Sequence, residues 1–312
     1  MSNTEAENKK TKTVAVVMST YNGSKNICRQ LDSIFSQIDV NVYVVIRDDG
    51  SKDDTLETIN NYVKVSGAHI HLITGKNEGY AKSFWDALCE AGDADYYAFS
   101  DQDDVWKNDK LIKTIIPMEE SPYSGPKLSY CNMQRSDEEL NRLTEQVNIL
   151  TTEKLSKKIC LTQTYNYGAA TVFNKDAKTL ICRGWPKGHD IPHDLWAGLL
   201  CYWFGRVFYV DDELYYWIRY GSSVTGEGTR KSGFVYRIKE SLKKQSYPNV
   251  TDMLLNMYAD LINEEDKSFL EAIRNYKHSK HDKLRILFDR DFKRTKLSGT
   301  IALKAGILLN WY

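Results

Sequence analysis

The chain has 312 residues, 42% hydrophobic and 27% charged, enough for one large domain or a catalytic domain with an appendage. Lysine plus arginine equal aspartate plus glutamate at 42 each, so no nucleic-acid partner is expected, and no window reaches the roughly 18 apolar residues of a spanning helix. The zero hides a split: residues 1–229 hold 25 basic against 32 acidic side chains, residues 230–312 hold 17 against 10. An acidic body with a basic end predicts that the two parts meet different partners.

In chain order, "MSNTEAENKKTK" (1–12) is polar and reads as a disordered tail rather than a signal peptide. "TVAVVMS" (13–19) is a short apolar run, as expected of a strand buried on both faces. "SKNICRQLDSIFSQ" (24–37) places Ile27, Leu31, Ile34 and Phe35 at helical spacing behind a Ser24 cap. Strands at 42–47, 70–74 and 96–100 alternate with helices at 53–65, 80–91 and 107–116. That alternation predicts a mainly parallel α/β sheet with right-handed crossovers. Beyond residue 120 the pattern loosens into strands at 127–133 and 168–174, a helix at 193–204 and a bent strand or hairpin at 206–220. From 230 onward it is helical and basic. Six scattered cysteines without a C-x-x-C pair argue against a zinc site and suit a reducing, cytoplasmic setting.

Ligands of such sheets bind at the carboxyl ends of the strands. Those ends read "STYNG" (19–23), "RDDGS" (47–51), "TGKNEG" (74–79) and "SDQDD" (100–104). "STYNGSKN" has one glycine and fits neither a P-loop nor a dinucleotide fingerprint. Asp101, Asp103 and Asp104 crowd one strand end, where like charges repel unless water or a cation screens them. A lone D-x-D is as well explained by a solvated turn. At a strand end beside Asp48 and Asp49, it suggests a nucleotide diphosphate bound through an oxygen-seeking divalent cation.

Together "STYNG", "RDDGSKDDT", "NEGYAKSF", "FSDQDDVW" and "HDLW" resemble the inverting family-two glycosyltransferases of GT-A fold, and their rhamnosyltransferase-like branch in particular. The resemblance covers about residues 13–225, with 230–312 as a basic helical extension. It implies transfer of a sugar, rhamnose in that branch, from a UDP- or dTDP-sugar in cell-surface polysaccharide synthesis. The acceptor would be a saccharide or a lipid-linked saccharide, and the cofactor Mn²⁺ or Mg²⁺. It gives Thr20 and Tyr21 to the base pocket, Asp49 to the pyrimidine N3–H, Asp103 and Asp104 to the metal with Asp101 beside them, and Asp194 to the catalytic base. His193 and Trp196, flanking Asp194, and Arg219, placed to neutralise the diphosphate, are substrate-binding candidates, although Trp196 at a helical position also reads as core. Trp106 reads equally as packing or as a wall of the site. Where the family usually has a histidine this chain has Tyr220, a poor metal ligand, and Ser223 replaces a common asparagine.

Alternatives stay open at this stage. Asp194 could be a helix N-cap behind Pro192, and the chain a non-catalytic nucleotide-sugar binder or a sugar-phosphate nucleotidyltransferase. His69 and His71 read as solvent-facing on an edge strand, and Pro192 spoils the pairing of His189 with His193 that a helical zinc motif needs. At the basic end, Ile273, Tyr276, Leu284, Leu287, Phe288 and Phe292 lie among lysines and arginines, before an apolar close at Trp311 and Tyr312. That pattern suits a helix lying peripherally on the inner face of the cell membrane, a cap packed on the body, or a homodimer contact.

Overall fold

The computed structural model describes residues 11–147, 149–184, 191–220 and 250–312. Residues 1–10 of the expected tail, His189, Ser223 and the junction between body and extension lie outside the described residues; Lys12, the last residue of that tail, belongs to the first strand. Strand β1 (Lys12–Thr20) is followed by α1 (Ile27–Phe35), β2 (Val40–Asp48), α2 (Thr55–Ser66), β3 (Ile70–Thr74), α3 (Tyr80–Glu90) and β4 (Tyr96–Ser100). Val14 to Met18 are wholly buried, as a strand with helices on both faces must be. Strand β3 is the sheet edge, and His69 and His71 are exposed there. Helix α1 starts at Ile27 without a side-chain cap. Ser24 instead gives its hydroxyl to Asp53, 2.7 Å away, so the expected cap is spent on joining two loops.

The second half mixes strand directions. Strand β5 (Val105–Trp106), α4 (Lys110–Glu120), β6 (Lys127–Ser136), α5 (Lys157–Cys160), β7 (Thr171–Asn174), α6 (Lys175–Cys182), α7 (His193–Phe204) and β8 (Arg206–Ile218) complete one sheet of order β3-β2-β1-β4-β7-β6-β8-β5. β7 is antiparallel to both neighbours and β5 antiparallel to β8, so the sheet is mixed. Residues 206–218 form a single strand rather than a hairpin, with irregular pairing to β6 near Asn132. β4 and β5 stand four positions apart, about 19 Å in a flat sheet. The four-residue link 101–104 reaches at most about 17 Å fully extended. The sheet therefore curls back on itself, and the link lies across the mouth of the curl.

Helices α8 (Thr251–Met257), α9 (Glu264–Asn275), α10 (Lys280–Phe288) and α11 (Leu297–Leu308) pack on the α5–α7 side. The Tyr258 hydroxyl donates to Leu180 O at 3.0 Å, the Tyr312 hydroxyl to Leu161 O at 3.1 Å, and Arg294 Nε to Thr162 O at 2.7 Å. Ile273, Tyr276 and Phe292 are buried in this docking face. The opposite face is bare: Leu284 and Phe288 on α10, Leu297, Ile301 and Leu308 on α11, and Trp311 are all exposed, Phe288 by 74%. Lys304 reaches from α11 to the carbonyls of Ile286 and Asp289 at 2.8 and 3.0 Å, which ties the two helices together. Among the described residues no helix is long and apolar enough to cross a membrane.

Candidate functional site

The acidic turn is held from three sides. β4 is buried throughout and delivers Asp101 at its end, while β5 re-pairs at once with Tyr215 and Tyr216 of β8. Gln102 clamps the turn to the end of β1, accepting from Tyr21 N at 3.0 Å and donating to Tyr21 O at 3.2 Å. A Cβ on Gly23 would lie 2.2 Å from Gln102 Oε1, so only glycine admits this clamp. The Tyr220 hydroxyl donates to Asp103 O at 3.2 Å, which puts its ring against the acidic turn.

Asp194 arrives from the other half of the chain. It lies in the first turn of α7 behind Pro192 and is not the N-cap. Its carboxylate accepts from Leu195 N at 2.8 Å and from Gly168 N at 3.1 Å, tying α7 to the turn before β7. A cavity of about 580 Å³ joins Asp101, Asp103 and Asp104 to Asp194, with Trp217 and Arg219 from the end of β8 on its wall. The Arg219 guanidinium lies over the Trp217 ring, 4.8 Å from its centre. His193 borders the cavity but is 8% exposed, with its ring stacked 3.7 Å from that of Phe84 and edge-on to Phe99. Neither ring nitrogen has a hydrogen-bond partner among the described residues. A Cβ on Gly168 would come within 2.6 Å of His193 Nε2, so the small residue there lets the ring pack.

Burial sets the electrostatics. Desolvation first, then the charges of Asp103 and Asp194, push the Asp101 carboxyl up to about 7. Burial raises Asp103, and raises Asp104 well above the ordinary range with help from Asp101 and Asp103. Asp194 rises to about 6 through burial, against the pull of its two N–H donors. His193 is pushed down to about 3 by burial and is neutral at pH 7. Beneath the turn, Lys110 is fully buried and lies 3.6 Å over the Trp106 ring, its ammonium without a hydrogen bond among the described residues. Burial lowers it to about 8.

Such a crowd of carboxyls is the environment a cation relieves. Asp104 Oδ2 is buried with no hydrogen-bond partner among the described residues, an acceptor left over for a ligand. Among those residues no group of three or more His, Cys, Asp and Glu side chains could hold a metal ion unaided. Asp103 and Asp104 offer one or two carboxylates, so a cation held here would need its other ligands from a bound molecule and water.

Thr20, Tyr21 and Asp49 gather apart from this cavity, at the carboxyl ends of β1 and β2. Thr20 is buried, its hydroxyl donating to Asp48 at 3.0 Å, and Tyr21 is 42% exposed. Asp49 is nearly buried, paired with Arg47, and accepts from the backbone N–H groups of Glu78 and Gly79. Two tryptophans that read as either site or core are buried. Trp196 is wholly buried, donating to Gly184 O at 3.1 Å and edge-on to Tyr258, so it belongs to the core. Trp106 is 3% exposed and props the acidic turn from below without reaching the cavity. The sequence reading also missed Arg47 and Gly168; a lone arginine closing the apolar run "VYVVIR" was the available signal for the first.

The sequence matches the profile of glycosyl transferase family 2 over residues 15–180. A dTDP-rhamnosyl transferase of Shigella flexneri is 36% identical over 102 residues, 31% of this chain and 35% of its own length. An Escherichia coli UDP-Glc:alpha-D-GlcNAc-diphosphoundecaprenol beta-1,3-glucosyltransferase is 30% identical over 106 residues, 34% of this chain and 41% of its own. The match thus spans well under half the length of either relative. Among solved structures, S. aureus TarS (residues 1–349, in complex with UDP) superposes with a TM-score of 0.57 at 16% identity, over 96% of this chain and 80% of that one. At that identity the likeness is one of fold. With the profile matching more than half of its residues, including the whole acidic turn, the chain belongs to glycosyl transferase family 2.

Proposed function

We propose that this chain is a metal-dependent inverting glycosyltransferase that moves a sugar from a UDP- or dTDP-sugar to a saccharide acceptor in polysaccharide synthesis. One observation carries the reading: a single cavity joins the acids of a strand end to a carboxylate from a helix about 90 residues later. Asp194, oriented by Gly168 N–H and Leu195 N–H, takes the proton of the acceptor hydroxyl as that oxygen bonds to the anomeric carbon. The bond to the donor's diphosphate oxygen breaks on the opposite face, and the anomeric centre inverts. A divalent cation, Mn²⁺ or Mg²⁺, held by Asp103 and Asp104, would offset the charge that grows on the leaving diphosphate. Arg219 supplies a further positive charge at the cavity wall, and Asp49 receives the N3–H of the base.

The name of the Shigella relative favours a dTDP-rhamnose donor; the UDP bound to TarS favours a pyrimidine nucleotide more broadly. The E. coli relative, named for a diphosphoundecaprenol-linked acceptor, supports a lipid-linked saccharide here. The bare apolar face of α10 and α11, set among lysines and arginines, supports peripheral contact with an anionic membrane. A thermal-shift screen of nucleotide sugars with and without Mn²⁺ tests the core of the reading. Stabilisation by UDP- or dTDP-sugars that depends on metal is expected. Equal melting temperatures across all donors would refute it.

A further inference from the structure

We infer that Arg47 is a positioning residue that leaves Asp49 with one open acceptor site, so that the base pocket admits a ring imide N–H and turns cytosine away. This rests on the reading that Asp49 meets the base. The Arg47 side chain is 4% exposed and uses every edge of its guanidinium. Nη1 pairs with Asp49 Oδ1, Nη2 donates to Glu78 Oε2 at 3.0 Å and Lys76 O at 3.2 Å, and Nε lies 3.3 Å from Asp86 Oδ2. One rigid fork thus joins the end of β2, the loop after β3 and helix α3.

Asp49 is held from the same loop. Oδ1 accepts from Arg47 and from Glu78 N at 2.9 Å; Oδ2 accepts from Gly79 N at 2.9 Å. Gly79 has φ +87, which a residue with a side chain rarely adopts, so the loop that presents these N–H groups depends on it. A carboxylate has about four lone-pair sites, and three are taken. The fourth, on Oδ2, can accept a single donor and offers none. Uracil and thymine present a donor at N3; cytosine presents a lone pair there, which a carboxylate repels.

The test is calorimetry of UDP and CDP against wild type, Asp49→Ala, Arg47→Lys and Gly75→Ala, with Mn²⁺ present. Lysine keeps the charge but cannot make the fork. A Cβ on Gly75 would lie 2.7 Å from Arg47 Nη2 and push the fork aside without removing it. Wild type is expected to prefer UDP, and Asp49→Ala to lose the preference. Arg47→Lys and Gly75→Ala are each expected to weaken UDP by about tenfold or more, the worth of a charge-assisted hydrogen bond, with CDP little changed. In turnover the loss should fall on KM for the donor and spare kcat. A purely structural arginine would weaken both nucleotides alike, and that result, or an unchanged UDP-to-CDP ratio in the two variants, overturns the inference while leaving Asp49 in place. Unchanged UDP affinity in Asp49→Ala would overturn the base reading itself. Should Arg47→Lys fail to fold, Gly75→Ala alone decides.

Discussion

Replacing Asp194 by asparagine should make the protein more stable and nearly inactive at once. Asparagine has the shape of the protonated acid and no charge; its one carbonyl keeps one of the two N–H bonds from Leu195 and Gly168, and loss of the other offsets part of the gain. In the folded chain the Asp194 carboxyl titrates at about 6, against 3.8 for the free side chain, because burial disfavours its charge. The folded state therefore binds this proton more tightly than the unfolded one. The stability that the proton brings is fully present below about pH 3.8 and is lost as pH rises through about 6. The rise from 3.8 to about 6 corresponds to about 3 kcal/mol at neutral pH. Urea unfolding of metal-free wild type and Asp194→Asn across pH 4.5 to 8 would measure it. The variant's advantage should grow with pH and level off above about 7, while transfer falls by roughly 10²–10⁴-fold. A helix cap behaves otherwise, since asparagine caps as well as aspartate and leaves stability unchanged at every pH. Equal stability throughout, with activity retained, would refute both the strained carboxylate and its role as base.

Asp103→Ala and Asp104→Ala should each abolish the metal-dependent part of UDP and dTDP binding measured by calorimetry; unchanged affinity in both would remove the metal site. Tyr220→His places an imidazole where the hydroxyl now meets Asp103 O, and should lower the Mn²⁺ concentration at half-maximal activity. A midpoint that stays put would mean the side chain does not face the metal. Phe288→Ser with Trp311→Ser should release the protein from anionic vesicles in co-sedimentation at low salt and leave its melting temperature nearly unchanged, since both side chains are exposed. A wild-type protein that ignores such vesicles would refute the membrane contact.

Much of the fold is legible because the signals are local. The apolar runs of β1, β2 and β4 and the helical spacing of Leu31 and Ile34 need no partner to be read. What escaped depends on distant residues. β5 is two residues long and exists only because Tyr215 and Tyr216 pair with it. Ser24 looks like a cap until Asp53 takes its hydroxyl. Trp106 and Trp196 sit beside acids in sequence, yet Lys110 and Tyr258 claim their rings. The acids themselves were readable, since three carboxylates at the end of a buried strand need some answering charge. Their meeting with Asp194 was implied by the family resemblance alone, because no local pattern says that a cavity joins residue 101 to residue 194.

The curled sheet also orders the steps by which the site comes into being. Strands β3, β2, β1 and β4 are complete once residue 100 is made, while Tyr97 and Phe99 of β4 meet their ring partners Phe173 and His193 only later. The acidic turn gains its final shape only when Tyr215 and Tyr216 arrive to seize β5, 112 residues after Asp104. At usual rates of synthesis that is a delay of roughly ten seconds. Through that interval Asp101, Asp103 and Asp104 stand in water, where their mutual repulsion costs little. The electrostatic burden of the cavity therefore falls late, when β8 pairs with β5 and α7 brings Asp194 to the other three carboxyls.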